Sequence, residues 1–199
     1  MSNFSAAIRD FAALGKIAAE HGPKIQVHSG LLVPVLEPRP EHITIVDIAH
    51  ALSNLCRFNG HVREFYSVAQ HSVLVSNVVP AEEALWGLLH DAAEAYIGDV
   101  TRPLKLWLEH VAPGAVSGIE RRLQQVIATR FGLSGCMPAS VKHADSVLLA
   151  TEKRDVLAVT DVPWVALPEP LPTRILAMTP QEAETAFLGR FCDLVRGRR

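Results

Sequence analysis

Apolar residues recur along the chain at two periods, and the change of period divides it. Over Ser5–Glu20, Ala6, Ile8, Phe11, Leu14 and Ile17 fall near helical spacing, and the pattern stops at His21-Gly22-Pro23. Ile25, Val27, Leu31, Val33 and Val35 then alternate around Ser29-Gly30, which predicts a short β-hairpin. Pro34, Pro38 and Pro40 hold off regular structure until about Glu41. From there the period is helical. Thr44 followed by Asp47 reads as a capping box, with Ile48, Leu52 and Leu55 in one stripe, until Asn59-Gly60 breaks the helix. Ser67 with Gln70 reads as a second capping box, opening a helix to about Val78. Pro80 suits the first turn of a third helix, Ala81–Ile97, ended by Gly98-Asp99. Further helices are predicted from Pro103 to about His110, from Gly114 to Phe131, from Pro138 to Ala158, and from Thr179-Pro180 to about Val195. Pro163, Pro168, Pro170 and Pro172 mark an extended surface stretch before the last one. The pattern predicts a mainly α fold with a small N-terminal hairpin. It reads as one domain over 1–199, with an extension over 1–42, a core over 43–158 and a C-terminal stretch and helix over 159–199.

The third helix is unusual. From Ala84 to Ile97 it is apolar nearly all round, which predicts a place in the middle of a bundle. Yet it carries His90, Asp91 and Glu94, and no Lys or Arg. An unpaired buried carboxylate costs several kcal/mol or is forced neutral. A divalent cation removes that conflict by turning buried carboxylates and imidazoles into ligands. His90 and Glu94 are one turn apart on one face, and Asp91 lies about 100° round from His90. Two other helices aim similar groups inward. His71 is in register with Val68, Val75 and Val78, and Asp145 with Val141, Leu148 and Leu149. Lys142, three residues before Asp145, and Arg154, nine residues after it, are the cations it could pair with; neither stands three or four residues after it.

Composition narrows the function. At 199 residues, a compact domain buries roughly 70% of its extended-chain surface and needs no disulfide or structural metal merely to fold. Lys and Arg number 19 against 21 Asp and Glu, a net charge of -2, so no basic excess points to a nucleic-acid polymer. Cys56, Cys136 and Cys192 form no CxxC and suit a reducing compartment, the cytoplasm. No apolar run approaches the roughly 18 residues of a membrane span. Self-association is left open. Most of the nine histidines read as ordinary: His21, His28, His42 and His110 flank turns or helix ends, His143 faces away from Asp145, and His50 is a candidate outer partner of the metal ligands.

The sequence of His71, then His90-Asp91, then Asp145 resembles the HD-domain metal-dependent phosphohydrolase superfamily, over about Ile43 to Asp155. Bacterial 5′-deoxynucleotidases of that superfamily are similar over Leu89-His90-Asp91-Ala92-Ala93-Glu94-Ala95, over Gly98-Asp99, Pro103 and Lys105, and over Val141-Lys142-His143-Ala144-Asp145. The 19 residues from His71 to His90 are a shorter interval than theirs. The resemblance implies a helical bundle, a divalent ion (Co, Mn, Zn, Fe, Ni or Mg) held by His71, His90, Asp91 and Asp145, and a small nucleotide as substrate. Removal of the 5′-phosphate from deoxynucleoside monophosphates is the first expectation. Relatives with the same core that cleave (deoxy)nucleoside triphosphates supply a second, a triphosphohydrolase. A non-catalytic nucleotide-binding relic is the third. The chemistry asks for a metal to polarise the phosphoryl group and an in-line attack by water. The resemblance places a catalytic glutamate at Glu94, to orient or deprotonate that water. The alternative is that Glu94 fixes His71 or His90 by a hydrogen bond. Asp99 is a candidate acid to the leaving group or acceptor of a sugar hydroxyl, or else a cap of the Pro103 helix. Arg57, Lys105 and His61 are the candidate phosphate binders, with Arg57 placed like an arginine of those nucleotidases.

Overall fold

The alternation around Ser29-Gly30 forms an antiparallel ribbon in the computed structural model, which describes residues 23–133, 135–162, 164 and 166–197. Strand β1 (Lys24–Gln26) pairs with β2 (Leu32–Pro34), with Ile25 opposite Val33. Gly30 takes φ +88° in the turn, a conformation that a side chain would strain. So short a ribbon is marginal alone. It is held because Val33 is fully buried and because the Ser29 N–H and hydroxyl donate to the Asp47 carboxylate at 2.7 and 3.0 Å. The helix expected over Ser5–Glu20 lies outside the described residues.

Helix α1 (Ile45–Asn54) starts where Thr44 accepts the Asp47 N–H, and α2 (Val68–Val78) where Ser67 accepts the Gln70 N–H. Both expected capping boxes are only half closed. The Asp47 carboxylate turns to Ser29 and to the Thr44 hydroxyl. The Gln70 amide instead donates to Leu176 O at 2.6 Å and accepts from Met178 N–H at 3.0 Å. Groups far along the chain, at Ser29, Leu176 and Met178, claim these side chains instead.

The helix expected over Ala81–Ile97 is broken. A 3-10 turn (Ala81–Glu83) leads into α3 (Ala84–Leu89), and α4 (Glu94–Ile97) follows after a tight turn. Across that turn the bonds tighten to the third residue, Ala92 N–H to Leu89 O at 3.1 Å and Glu94 N–H to Asp91 O at 2.9 Å. Side chains take the carbonyls at the break. The Gln124 amide donates to Leu89 O, and the His90 ring bonds Gly87 O. Gly98, at φ +79°, ends α4.

Helix α5 (Arg102–Val111) follows, and α6 (Ser117–Arg130) has its first N–H groups capped by the Glu109 carboxylate. Helix α7 (Ala139–Asp155) stops three residues earlier than Ala158, because Arg63 binds its last carbonyls at Asp155 and Val156. The Thr179–Glu182 box opening α8 (Pro180–Arg196) does close in both directions. Arg154 and Thr151 hold the backbone of the proline-rich stretch at Leu171 and Thr173, so it lies along the end of α7.

The core centres on α2, α3 and α7, with α8 packed across α1 and α2 through Ala183 and Phe187. Gly87 sets the closest approach: a Cβ there would stand 2.9 Å from the Ser76 Cα of α2. That contact brings α2 and α3 near enough for their histidines to meet. No helix among the described residues is long and apolar enough to cross a membrane.

Candidate metal centre

His71 sits in the first turn of α2, His90 at the end of α3, Asp91 in the tight turn that follows, and Asp145 in the second turn of α7. Their ligand atoms converge. His71 Nε2 is 3.3 Å from His90 Nε2 and 3.2 Å from Asp145 Oδ1. Asp91 Oδ2 is 3.1 Å from His90 Nε2 and 3.7 Å from His71 Nε2. The atoms offered by His71, His90 and Asp145 all lie within 4.8 Å of one another, a group that could hold a metal ion. The imidazoles are dry and Asp145 is wet: the His71 side chain is 0% exposed and that of Asp145 46%. The cluster thus opens to solvent on the α7 side.

Both rings are turned by a bond behind them. His71 Nδ1 is 2.6 Å from Glu152 Oε1, and His90 Nδ1 is 2.8 Å from Gly87 O. With Nδ1 donating in each ring, Nε2 is the nitrogen left to face inward, which is the usual arrangement of metal-binding histidines. Two Nε2 lone pairs facing each other across 3.3 Å repel unless a proton or a cation lies between them. The donor set therefore fits a divalent ion.

Charge supports the same conclusion. Burial pushes the Asp91 carboxyl up, but His90, His71 and Arg57 outweigh it and hold it well below the usual range. Asp145 is likewise pressed upward by burial and brought down by its bond to His71. Burial and Arg57 pull the His71 ring down, yet Glu152 and Asp145 prevail and hold it at about 9. For Glu94 the opposing charge, Arg57, is outweighed. Burial first, then Asp91 and Asp99, push it up to about 10, and its Oε2 has no hydrogen-bond partner. Asp99 is raised too, by burial and by Asp91.

Glu94 and Asp99 thus stand within the field of the cluster. Both of their alternative roles fail. His71 and His90 use Glu152 and Gly87 as their outer partners, so Glu94 fixes neither ring. Thr101, not Asp99, is the N-cap residue of α5. Arg57 is at the site, largely covered, with its Nη2 3.0 Å from Glu152 and its Nη1 3.6 Å from Asp91. It is carried there by a loop closed between Cys56 and Ser67, in which Phe58 and Asn59 hold φ of 54° and 52°. Left-handed backbone at a bulky residue such as Phe58 costs roughly 1–2 kcal/mol, and such strain concentrates at functional sites. Of the other two candidate phosphate binders, Lys105 is paired with Glu120, whose charge also acts on Glu94, and His61 is exposed on the loop that carries Arg57. His50 is also elsewhere, stacked on His28 and 3.2 Å from Glu184. Sequence reasoning overlooked Glu152, which is fully buried against His71 and Arg57. The signal was there: Glu152 continues the Asp145, Leu148, Leu149 stripe by one more turn.

No family model matches the chain. It is 41% identical over 163 residues to the uncharacterized protein YfdR of Escherichia coli (strain K12), an alignment covering 80% of this chain and 88% of YfdR. It is 33% identical over 187 residues to an uncharacterized protein of Rhodobacter capsulatus, covering 84% of this chain and 93% of that one. Identity of that order, sustained over nearly the whole of both relatives, means that the chain belongs to the family of YfdR.

Proposed function

We infer that this protein is a metal-dependent phosphohydrolase of nucleotides, of the HD-domain kind, that removes the 5′-phosphate from deoxynucleoside monophosphates in the cytoplasm. One observation carries the reading. Ligand-type atoms of His71, His90, Asp91 and Asp145, from three separate helices, meet with both imidazoles turned Nε2-inward. A mixed nitrogen and oxygen set suits Mn, Co, Fe, Ni or Zn better than Ca. A divalent ion held by these residues supplies Lewis acidity to a phosphate oxygen and makes a nearby water more acidic.

The remaining work falls to the chain. Glu94 Oε2, buried and unpartnered, is the atom that takes the proton of the attacking water. Its carboxyl is held at about 10 while Asp91 and Asp99 crowd it, so it needs positive charge among those carboxylates before it can act as a base. Asp99, raised by burial, keeps its proton more readily than an ordinary aspartate and can donate it to the leaving sugar oxygen. Arg57 contributes a guanidinium beside Asp91, where the negative charge of a phosphate accumulates.

The test is orthophosphate release from dAMP by protein loaded with Co or Mn, run beside dATP. Free orthophosphate from dAMP is the expected result. Tripolyphosphate from dATP would make it a triphosphohydrolase instead. Binding of either nucleotide without turnover by metal-loaded protein would make it a nucleotide-binding relic.

A further inference from the structure

We propose that Glu152 is the positioning residue of the metal centre, one buried carboxylate that aims the His71 ligand nitrogen inward and ties Arg57 to it. The proposal rests on the metal reading above and adds a residue that the motif of histidines and aspartates does not contain. Glu152 is 0% exposed. Its two oxygens have different tasks: Oε1 is 2.6 Å from His71 Nδ1, and Oε2 is 3.0 Å from Arg57 Nη2. The same helix, α7, thus supplies a ligand at Asp145 and, two turns on, the group standing behind another ligand.

The two imidazoles are oriented by unlike groups. His90 has a peptide carbonyl behind it, Gly87 O, which belongs to its own helix and carries no net charge. His71 has a carboxylate from a different helix. A carboxylate behind a ligating imidazole fixes the ring and makes its free nitrogen a stronger donor. Removing it should loosen the ligand that touches both His90 and Asp145. The Arg57 contact extends this to the loop. Arg57 reaches from Glu152 to within 3.6 Å of Asp91, so Glu152 also sets where that guanidinium stands. A purely structural ion pair would make a different prediction. Removing one partner of a purely structural buried pair would lower stability, by leaving Arg57 uncompensated, and would leave the metal affinity and spectrum unchanged.

Co(II) titration, followed by calorimetry and by the visible absorption of the bound ion, separates the two. The proteins are wild type, Glu152→Gln, Glu152→Asp and Thr151→Val, each checked for helicity by circular dichroism. Thr151 is the control: it is buried on the same turn and bonds Leu171, but it does not touch His71. Wild type should bind one equivalent. Glu152→Gln should bind about 10–100-fold more weakly with a shifted absorption band, the usual effect of losing an outer partner of a ligand. Glu152→Asp keeps the charge, so it decides the matter if the Gln variant does not fold. One methylene shorter, it cannot span His71 and Arg57, and it should also bind more weakly. Thr151→Val should match wild type. Wild-type affinity and spectrum in both folded Glu152 variants would overturn the proposal, as would equal weakening in Thr151→Val. Absence of any Co(II) uptake by wild type would overturn it together with the metal reading. Weakened binding in the variants, with wild type inert toward nucleotides, would support Glu152 while removing only the nucleotide activity.

Discussion

Helix α7 carries Asp145 and Glu152 into the candidate metal centre and ends at Asp155, and the two regions treat their carboxylates differently. Asp155 is satisfied by the chain itself. It accepts from Arg154 Nε and Nη2 at 2.7 and 2.8 Å, from Arg174 Nη1 at 2.7 Å and from the Ile175 N–H at 3.0 Å. Its side chain is 2% exposed, and the Arg154 bonds hold it well below the usual carboxylate range against the opposing effect of burial. At the metal centre, Asp91, Glu94, Asp99, Asp145 and Glu152 are all acted on by one another, by imidazoles or by Arg57, and Glu94 is left without a partner. A carboxylate neutralised by fixed arginines joins two segments of chain. Where carboxylates crowd one another, as Asp91 and Asp99 crowd Glu94, a cation among them would relieve the repulsion.

The comparison can be broken at either end. The largest effect is expected from Asp145→Ala, which should abolish bound metal, read by mass spectrometry of the purified protein, and with it phosphate release. Retained stoichiometric metal would mean that Asp145 is not a ligand. Glu94→Gln should keep the metal and lose roughly 10²–10⁴ in rate, the usual contribution of a general base. The metal-free variant should also melt higher than wild type, because a crowded carboxyl has been removed; a lower melting temperature would contradict the crowding. Asp155→Asn should do the reverse. It should cost about 2 kcal/mol in urea unfolding, from weakened charge-assisted bonds, and leave Co(II) affinity unchanged. If it changes metal affinity, the two regions are not separable. The smallest effects concern pH, and their signs differ. Asp155 has a depressed carboxyl, so its stabilisation is present above the ordinary value of 3.8 and is lost as the pH falls below it. His71 is raised from 6.5 to about 9, so its stabilisation is full below 6.5 and is lost as the pH rises through 9. Glu94, raised from 4.5 to about 10, also makes the folded state bind more protons and lose stability with rising pH over that window. Melting of the metal-free protein from pH 3 to 10 reads both limbs. Asp155→Asn should flatten the acid limb and Glu94→Gln the alkaline one.

Periodicity and turn chemistry made most of the fold legible. The hairpin at Ser29-Gly30 and the helix starts at Thr44, Ser67 and Thr179 are local events, driven by residues within a few positions of one another. The errors fall where distant groups compete. The helix over Ala81–Ile97 breaks at His90–Ala93, since Gln124 on α6 and the His90 ring take carbonyls that a continuous helix would use. Helix α7 ends early because Arg63 takes its last carbonyls. At the site, His71, His90, Asp91 and Asp145 were visible as polar residues on apolar faces. The sequence singles out Lys105 by its place past Asp99 and Pro103 and His61 by its place on the Arg57 loop; the structure pairs Lys105 with Glu120 and leaves His61 exposed.

The sequence by itself determined which faces are buried and that charge is buried with them, because side-chain direction along a helix follows from spacing. It could not determine which buried charges neutralise one another. That depends on distances between helices, here set by contacts such as Gly87 of α3 against Ser76 of α2. Only the tertiary structure placed Glu152 between His71 and Arg57, and Asp155 between two arginines. Electrostatic interaction falls with distance through space, whatever the separation along the chain. Glu152 and Asp155 lie within one turn of each other and still belong to different parts of the molecule.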